Sequence, residues 1–142
     1  MIGVTADTNI YVSAIQFGGR PRDLLDLARR GEIELHISEP ILTELTGVLR
    51  DKFGWQEAPL RELEQQLRRI TRIVAPTQTL NVITVDEPDN RILECAAAAG
   101  SHFIVSGDND LLRLGSYGQA PITRVADFLD LIQPPPERGR PV

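Results

Sequence analysis

The sequence is short of several things, and each shortage removes a class of protein. Cys95 is the only cysteine in 142 residues, which excludes an intramolecular disulfide and a four-cysteine zinc site and leads us to expect a reducing, cytoplasmic setting. No run approaches the ~18 apolar residues of a membrane span. The start of the chain lacks a basic segment followed by an apolar core, so neither secretion nor membrane insertion is expected. Lys52 is the only lysine, and with a net charge of −5 the chain does not attract nucleic acid by bulk charge. Cations and local arginines would have to supply that attraction. Aromatic residues are also few. Trp55, Tyr11, Tyr117 and four phenylalanines are the whole set, and most of them are expected to pack in the core rather than to stack on bases.

What is present is the make-up of one ordinary globular domain, long enough to bury roughly two thirds of its unfolded surface. Residues 2–5 are β-prone and pass into a helix over 10–15, while 17–21 reads as a loop by its glycines and proline. Leu24, Leu25, Leu27 and Ala28 form a helical stripe closed by Gly31. Residues 33–37 alternate as a second strand, and Ser38 is a fitting N-cap for a helix over 39–52. Residues 60–74 read as one amphipathic helix stopped by Pro76, 80–85 as a third strand, and 92–99 as an Ala-rich helix. A fourth strand over 102–105, a helical turn over 111–114, a short strand near 121–123 and a helix over 125–132 complete the pattern. Residues 1–133 are therefore expected to form the domain, and 134–142 a disordered or extended Pro-rich tail. Strand and helix alternate throughout, which predicts an α/β fold: a parallel sheet covered by helices on both faces.

In such a sheet the crevice beyond the carboxyl ends of the strands is where ligands bind. Asp7 ends the first strand, Asp108 and Asp110 follow the fourth, Asp89 opens a helix, and Glu44 lies at the margin of a helical apolar stripe. Singly, each has an ordinary explanation, since Asp is a preferred N-cap worth ~1 kcal/mol and Glu commonly decorates a helix surface. Together they are another matter. Two carboxylates ~4 Å apart repel by up to ~4 kcal/mol at an effective dielectric of 20, so a cluster of them calls for a cation or for shifted pKa values. Oxygen ligands of this kind suit Mg²⁺ or Mn²⁺, and the matching chemistry is phosphodiester hydrolysis. Thr8, Asn9, Ser106 and Asn109 are candidates to position water or phosphate, beside the plain alternative that they serve turns and caps.

The runs Thr5-Ala6-Asp7-Thr8-Asn9-Ile10, Asp86-Glu87-Pro88-Asp89-Asn90 and Val105-Ser106-Gly107-Asp108-Asn109-Asp110 resemble, in order and spacing, the signature blocks of PIN-domain ribonucleases. The closer likeness is to the VapC-like toxins of prokaryotic toxin–antitoxin pairs, and it extends over about residues 2–132. That resemblance implies a three-layer α/β/α sandwich with a mainly parallel central sheet, whose acidic cleft binds one or two Mg²⁺ or Mn²⁺ ions and cuts single-stranded RNA. By motif, Asp7 corresponds to the first family acid, Glu44 to the helix acid, Asp89 to the third and Asp108 to the fourth, the catalytic set. Asp7, Asp89, Asp108 and Asp110 are the metal candidates, Asp110 matching an acid found in only part of the family. Asp86 and Glu87 align outside the ligand set. An antitoxin that covers the cleft, offering an arginine to the acids, and a homodimer are implied in the same way.

Arg20, Arg22, Arg68, Arg69 and Arg72 are candidates for RNA phosphate contacts, against the reading that they are solvated helix faces. His36 and His102, each flanked by apolar residues, read as satisfied structural histidines, and Cys95 as a small buried residue. Two other functions fit the same sheet. One is a phosphoacceptor receiver domain, which gathers aspartates around Mg²⁺ but normally uses a late lysine where this chain has only Lys52. The other is a non-catalytic RNA- or protein-binding module of the same fold.

Overall fold

The computed structural model describes residues 1–77, residue 79 and residues 87–132. In chain order the elements are β1 (Gly3–Ala6), α1 (Thr8–Gln16), α2 (Gly19–Arg29), β2 (Glu34–Ser38), α3 (Glu39–Phe53), α4 (Glu57–Ile70) and β3 (Thr71–Val74). They continue with α5 (Glu87–Ala99), β4 (Phe103–Val105), α6 (Asn109–Leu114), β5 (Ser116–Tyr117), β6 (Ala120–Thr123) and α7 (Val125–Ile132). The strands form one sheet in the order β3-β2-β1-β4-β6-β5. Every pairing is parallel except that of β5 with β6. α1 packs on α2 and α3, α2 on α4 and α7, and α5 lies against β1, β2 and β3. The fold is an α/β/α sandwich. No helix among the described residues is long and apolar enough to cross a membrane.

The strand order decides where a site can form. From β1 the chain steps to β2 and β3 on one side, then returns to β4 and β6 on the other, so the direction of winding reverses between β1 and β4. At such a point the loops leaving the two strands diverge and open a crevice. Asp7 follows β1 and Ser106 follows β4, placing both on its rim. β1 itself is buried along its whole length, as a central parallel strand must be, which explains its small and β-branched residues.

Several elements differ from their sequence patterns, each for a physical reason. The helix expected over 60–74 ends at Ile70, and residues 71–74 become the edge strand β3, paired with β2 from Leu35↔Thr71 to Ser38↔Val74. Ile70 and Ile73 share helical spacing, but a free strand edge on β2 and the branched residues Thr71, Ile73 and Val74 favour pairing. The loop expected over 17–21 is already helix from Gly19. Pro21 sits in that first turn, where a missing N–H costs nothing. α5 begins at Glu87 rather than at Ile92, so Asp89 lies within its first turn instead of before it. Phe17 is 76% exposed and meets Phe53 edge to face on the surface, at 6.1 Å between ring centres; both stand at helix ends, beyond the core. The strand expected over 80–85 and the tail over 134–142 lie outside the described residues.

A buried polar network stiffens the middle of the sheet. His36 on β2 is buried, with Nδ1 2.7 Å from Ser101 Oγ and Nε2 2.8 Å from Glu34 Oε1. Since a carboxylate only accepts, Nε2–H donates to Glu34 and Nδ1 accepts from the Ser101 hydroxyl. Ser101 Oγ lies 2.7 Å from Thr5 Oγ1, which in turn reaches Cys95 Sγ at 3.8 Å. His102 is satisfied too, its Nδ1 accepting from the Gly3 N–H at 2.8 Å. Burial pushes the Cys95 thiol up to about 12, so it behaves as an inert core residue.

Gly3 is required because a Cβ there would run into the His36 ring. Gly3→Ala is expected to cost about 1–3 kcal/mol, read as a lower urea midpoint in equilibrium unfolding. His36 supplies a pH dependence. Burial holds its pKa below the ordinary imidazole value, outweighing the pull of Glu34, so the unfolded chain takes up a proton that the folded chain resists. Stability present at neutral pH is therefore lost as pH falls below about 6.5. Thermal midpoints measured down this range should drop for the wild-type chain, and drop less for His36→Gln, which has no proton to take up.

Candidate active site

Asp7, the residue after β1, has its N–H bonded to Val105 O of β4 at 2.9 Å, so the central strand pair fixes its backbone. Its carboxylate serves two local purposes. Oδ1 accepts the Asn9 N–H at 3.3 Å and caps α1, while Oδ2 accepts the Ser106 hydroxyl at 2.8 Å. Ser106 is buried and fixed by its own N–H bond to Thr123 O of β6 at 3.0 Å. Its Oγ accepts the Asp108 N–H at 2.9 Å. One hydroxyl therefore ties the acid after β1 to the acid after β4. Asp108 Oδ1 then accepts the N–H groups of Asp110 and Leu111 at 2.9 and 3.2 Å, capping α6.

Asp89 completes the group. It is 4% exposed, in the first turn of α5, where the helix dipole favours a negative charge. Asp89, Asp108 and Asp110 each offer a carboxylate oxygen, and these three oxygens lie within 4.8 Å of one another. Opposite ligands of an octahedral Mg²⁺ stand ~4.2 Å apart, twice its ~2.1 Å bond, so small side-chain movements close the set on an ion. All the donors are hard oxygens, as such ions require. Thr8 Oγ1 and Thr123 Oγ1, next in the chain after Asp7 and at the end of β6, are buried without a hydrogen-bond partner among the described residues. Hydroxyls left in that state beside clustered acids are what an ion with its waters would satisfy. The residues fit a divalent cation.

The other sequence candidates fall into place around this centre. Glu44 is half-buried on α3 and stands outside the three-oxygen group; Asn9 and Asn109 are exposed. Three of the five arginines have acidic partners. Arg20 pairs with Asp130 at 2.8 Å, Arg68 with Glu39 at 2.7 Å and Glu64 at 2.9 Å, and Arg72 with Glu34 at 3.3 Å. The Arg68 guanidinium holds the Glu39 carboxyl below its usual range. Arg22 and Arg69 are exposed. Lys52 closes α3, the end of the helix remote from the carboxyl edge, so the acids have no receiver-type lysine. The sequence reading passed over Arg91 and Glu94, which join at 2.8 Å on α5 with the Glu94 side chain only 7% exposed. Their opposite charges at i,i+3 on an Ala-rich helix were the available signal.

An open, mainly parallel α/β sheet with an acid cluster at its winding reversal offers a site that a divalent cation fits. The PIN-domain family model matches residues 4–110, and the chain belongs to that family, a family of nucleases. Among solved structures it is similar to VapBC2 from Rickettsia felis bound to a DNA fragment from their promoter. The likeness is 19% in sequence, with a TM-score of 0.60, over 85% of this chain and 97% of the other. The comparison with curated proteins gives no match.

Capping and ion binding make opposite demands on charge, and this separates them by experiment. Asn caps a helix about as well as Asp, so Asp108→Asn should stay within about 1 kcal/mol of wild-type stability in metal-free urea unfolding. Titration with Mn²⁺ should raise the melting temperature of the wild-type chain and leave that of Asp108→Asn nearly unchanged.

Proposed function

We propose that this protein is a divalent-metal-dependent endoribonuclease that cuts single-stranded RNA, and that it acts as the toxin of a toxin–antitoxin pair. The observation that carries this reading is the meeting of Asp89, Asp108 and Asp110 oxygens within 4.8 Å, tied through Ser106 to Asp7, in a PIN-domain chain. Asp7, Asp89, Asp108 and Asp110 hold Mg²⁺ or Mn²⁺ in this scheme, with Glu44 acting from α3 on the same cleft. When bound, such an ion supplies Lewis acidity that activates a water and offsets the negative charge of the phosphate under attack.

The rest of the work falls to the chain itself. Ser106 keeps the Asp7 carboxylate turned toward Asp108, and the two helix caps hold both acids in fixed rotamers. This spares the site reorganisation as charge develops. Thr8, Asn9 and Asn109 supply hydroxyl and amide groups that orient the water or a phosphate oxygen. Arg22 and Arg69, exposed cations, take phosphates away from the cleft, and Arg20, Arg68 and Arg72 do so only by loosening their acidic partners.

The likeness to VapBC2, bound to a DNA fragment from their promoter, supports an antitoxin as the partner. An antitoxin segment bearing an arginine would neutralise the acids in place of an ion, and two copies of the chain would form the unit it binds. The family and the acid cluster both weigh against a non-catalytic module, since a pure binding module gains nothing from gathering like charges.

The decisive measurement is cleavage of an end-labelled single-stranded RNA in Mn²⁺. Wild-type protein is expected to cut it, chelation to stop the reaction, and Asp89→Asn to lower the rate about a hundredfold or more while keeping its fold by circular dichroism. Equal cleavage by folded Asp89→Asn protein would overturn the assignment.

A further inference from the structure

Beyond β2 and β3, on the same carboxyl edge as the acids, lies a cavity of about 420 Å³, within the roughly 300–1,000 Å³ of small-molecule sites. Three elements line it, and it is open to solvent on one side. Glu39, itself paired with Arg68, and Pro40 come from α3, Ala75, Pro76 and Thr77 from the segment leaving β3, and Arg91 and Glu94 from α5. α5 connects the cavity to the acid cluster, because Asp89, Arg91 and Glu94 all stand on its first turns. Residues of a helix advance by roughly 100° each, so Arg91 and Glu94 look toward the flank opposite Asp89. The acids and the cavity are thus divided by about the width of one helix, ~10 Å, a short step along an extended polynucleotide.

The lining has the chemistry of unstacked-base recognition. Proline rings and the Ala75 methyl offer apolar contact to a flat ring, and Thr77 offers a hydroxyl that both donates and accepts. The Arg91–Glu94 pair, 2.8 Å apart, sets a guanidinium plane and a carboxylate in a fixed arrangement at the wall. Bases splayed from single-stranded RNA are held by guanidinium planes and by hydrogen bonds to their edges.

We infer that this cavity receives the base of a nucleotide neighbouring the cleaved phosphate of single-stranded RNA, an assignment that rests on the nuclease function proposed above. It makes the cleft selective for unpaired RNA and places the discriminating contacts on α5, on the helix that also carries Asp89.

The test fills the cavity with Ala75→Trp and, as a second variant, Thr77→Trp, both at exposed positions. Binding is read by fluorescence anisotropy of a short labelled single-stranded RNA on an Asp89→Asn background, and cleavage by KM and kcat on the otherwise wild-type chain in Mn²⁺. Filling is expected to weaken binding about tenfold and to raise KM by a similar factor with little change in kcat, while the Mn²⁺-induced rise in melting temperature is kept. Two folded variants that bind RNA and cut it with parental constants would overturn the base site and leave the nuclease function standing. A wild-type chain that cuts no RNA, with filled variants that still lose RNA affinity, would overturn the nuclease function and keep the base site.

Discussion

The structure depends on gathering carboxylates where the chain's own geometry makes them repel. Asp7 and Asp89 are buried, at 6% and 4% exposure, and Asp89, Asp108 and Asp110 converge to within 4.8 Å. At that range each pair costs up to about 4 kcal/mol at an effective dielectric of 20. The fold meets part of this cost with hydrogen-bond donors that do not move. Asn9 N–H and the Ser106 hydroxyl serve Asp7, and two N–H groups of α6 serve Asp108. Capping and ion binding are therefore not rival explanations of these residues. The same bonds that start α1 and α6 hold Asp7 and Asp108 in positions compatible with a shared cation.

Rigidity at the site comes from the strands beneath it. β1 lies between β2 and β4, and the acids leave the carboxyl ends of β1 and β4, the two strands between which the winding reverses. Below them the hydrogen-bonded run from the partly exposed Glu34 through the buried His36 and Ser101 to Thr5 crosses from β2 to the start of β4 and to β1. A slip of register would move Thr5 to the other face and break that run. The carboxyl edge that carries the acids thus rests on a polar core that tolerates little displacement, and Gly3 provides the room it needs.

Much of this was legible in the sequence because it is written locally. The runs around Asp7, Asp89 and Asp108 each join a strand or turn to a helix start, and that local grammar is enough to place the acids at element ends. What misled was equally local. Ile70 and Ile73 kept helical spacing into what became β3, because periodicity cannot report that β2 has an edge to be paired. Phe17 and Phe53 looked like core residues by type, but their helix ends reach past the core. Arg68 and Arg72 looked like free cations until the fold brought Glu39 and Glu34 to them.

The sequence by itself determined the α/β alternation, the burial of β1, and the residue types at the ends of its elements, since propensity, capping and hydrophobic period act over a few neighbours. Only the tertiary structure decided which acids meet. Asp89 joins Asp108 and Asp110 with carboxylate oxygens within 4.8 Å of one another, and Asp7 joins them through a serine 99 residues away. Such distances follow from strand order and from the path of α5 across the sheet, quantities fixed by the packing of the whole chain and encoded at no single position in it.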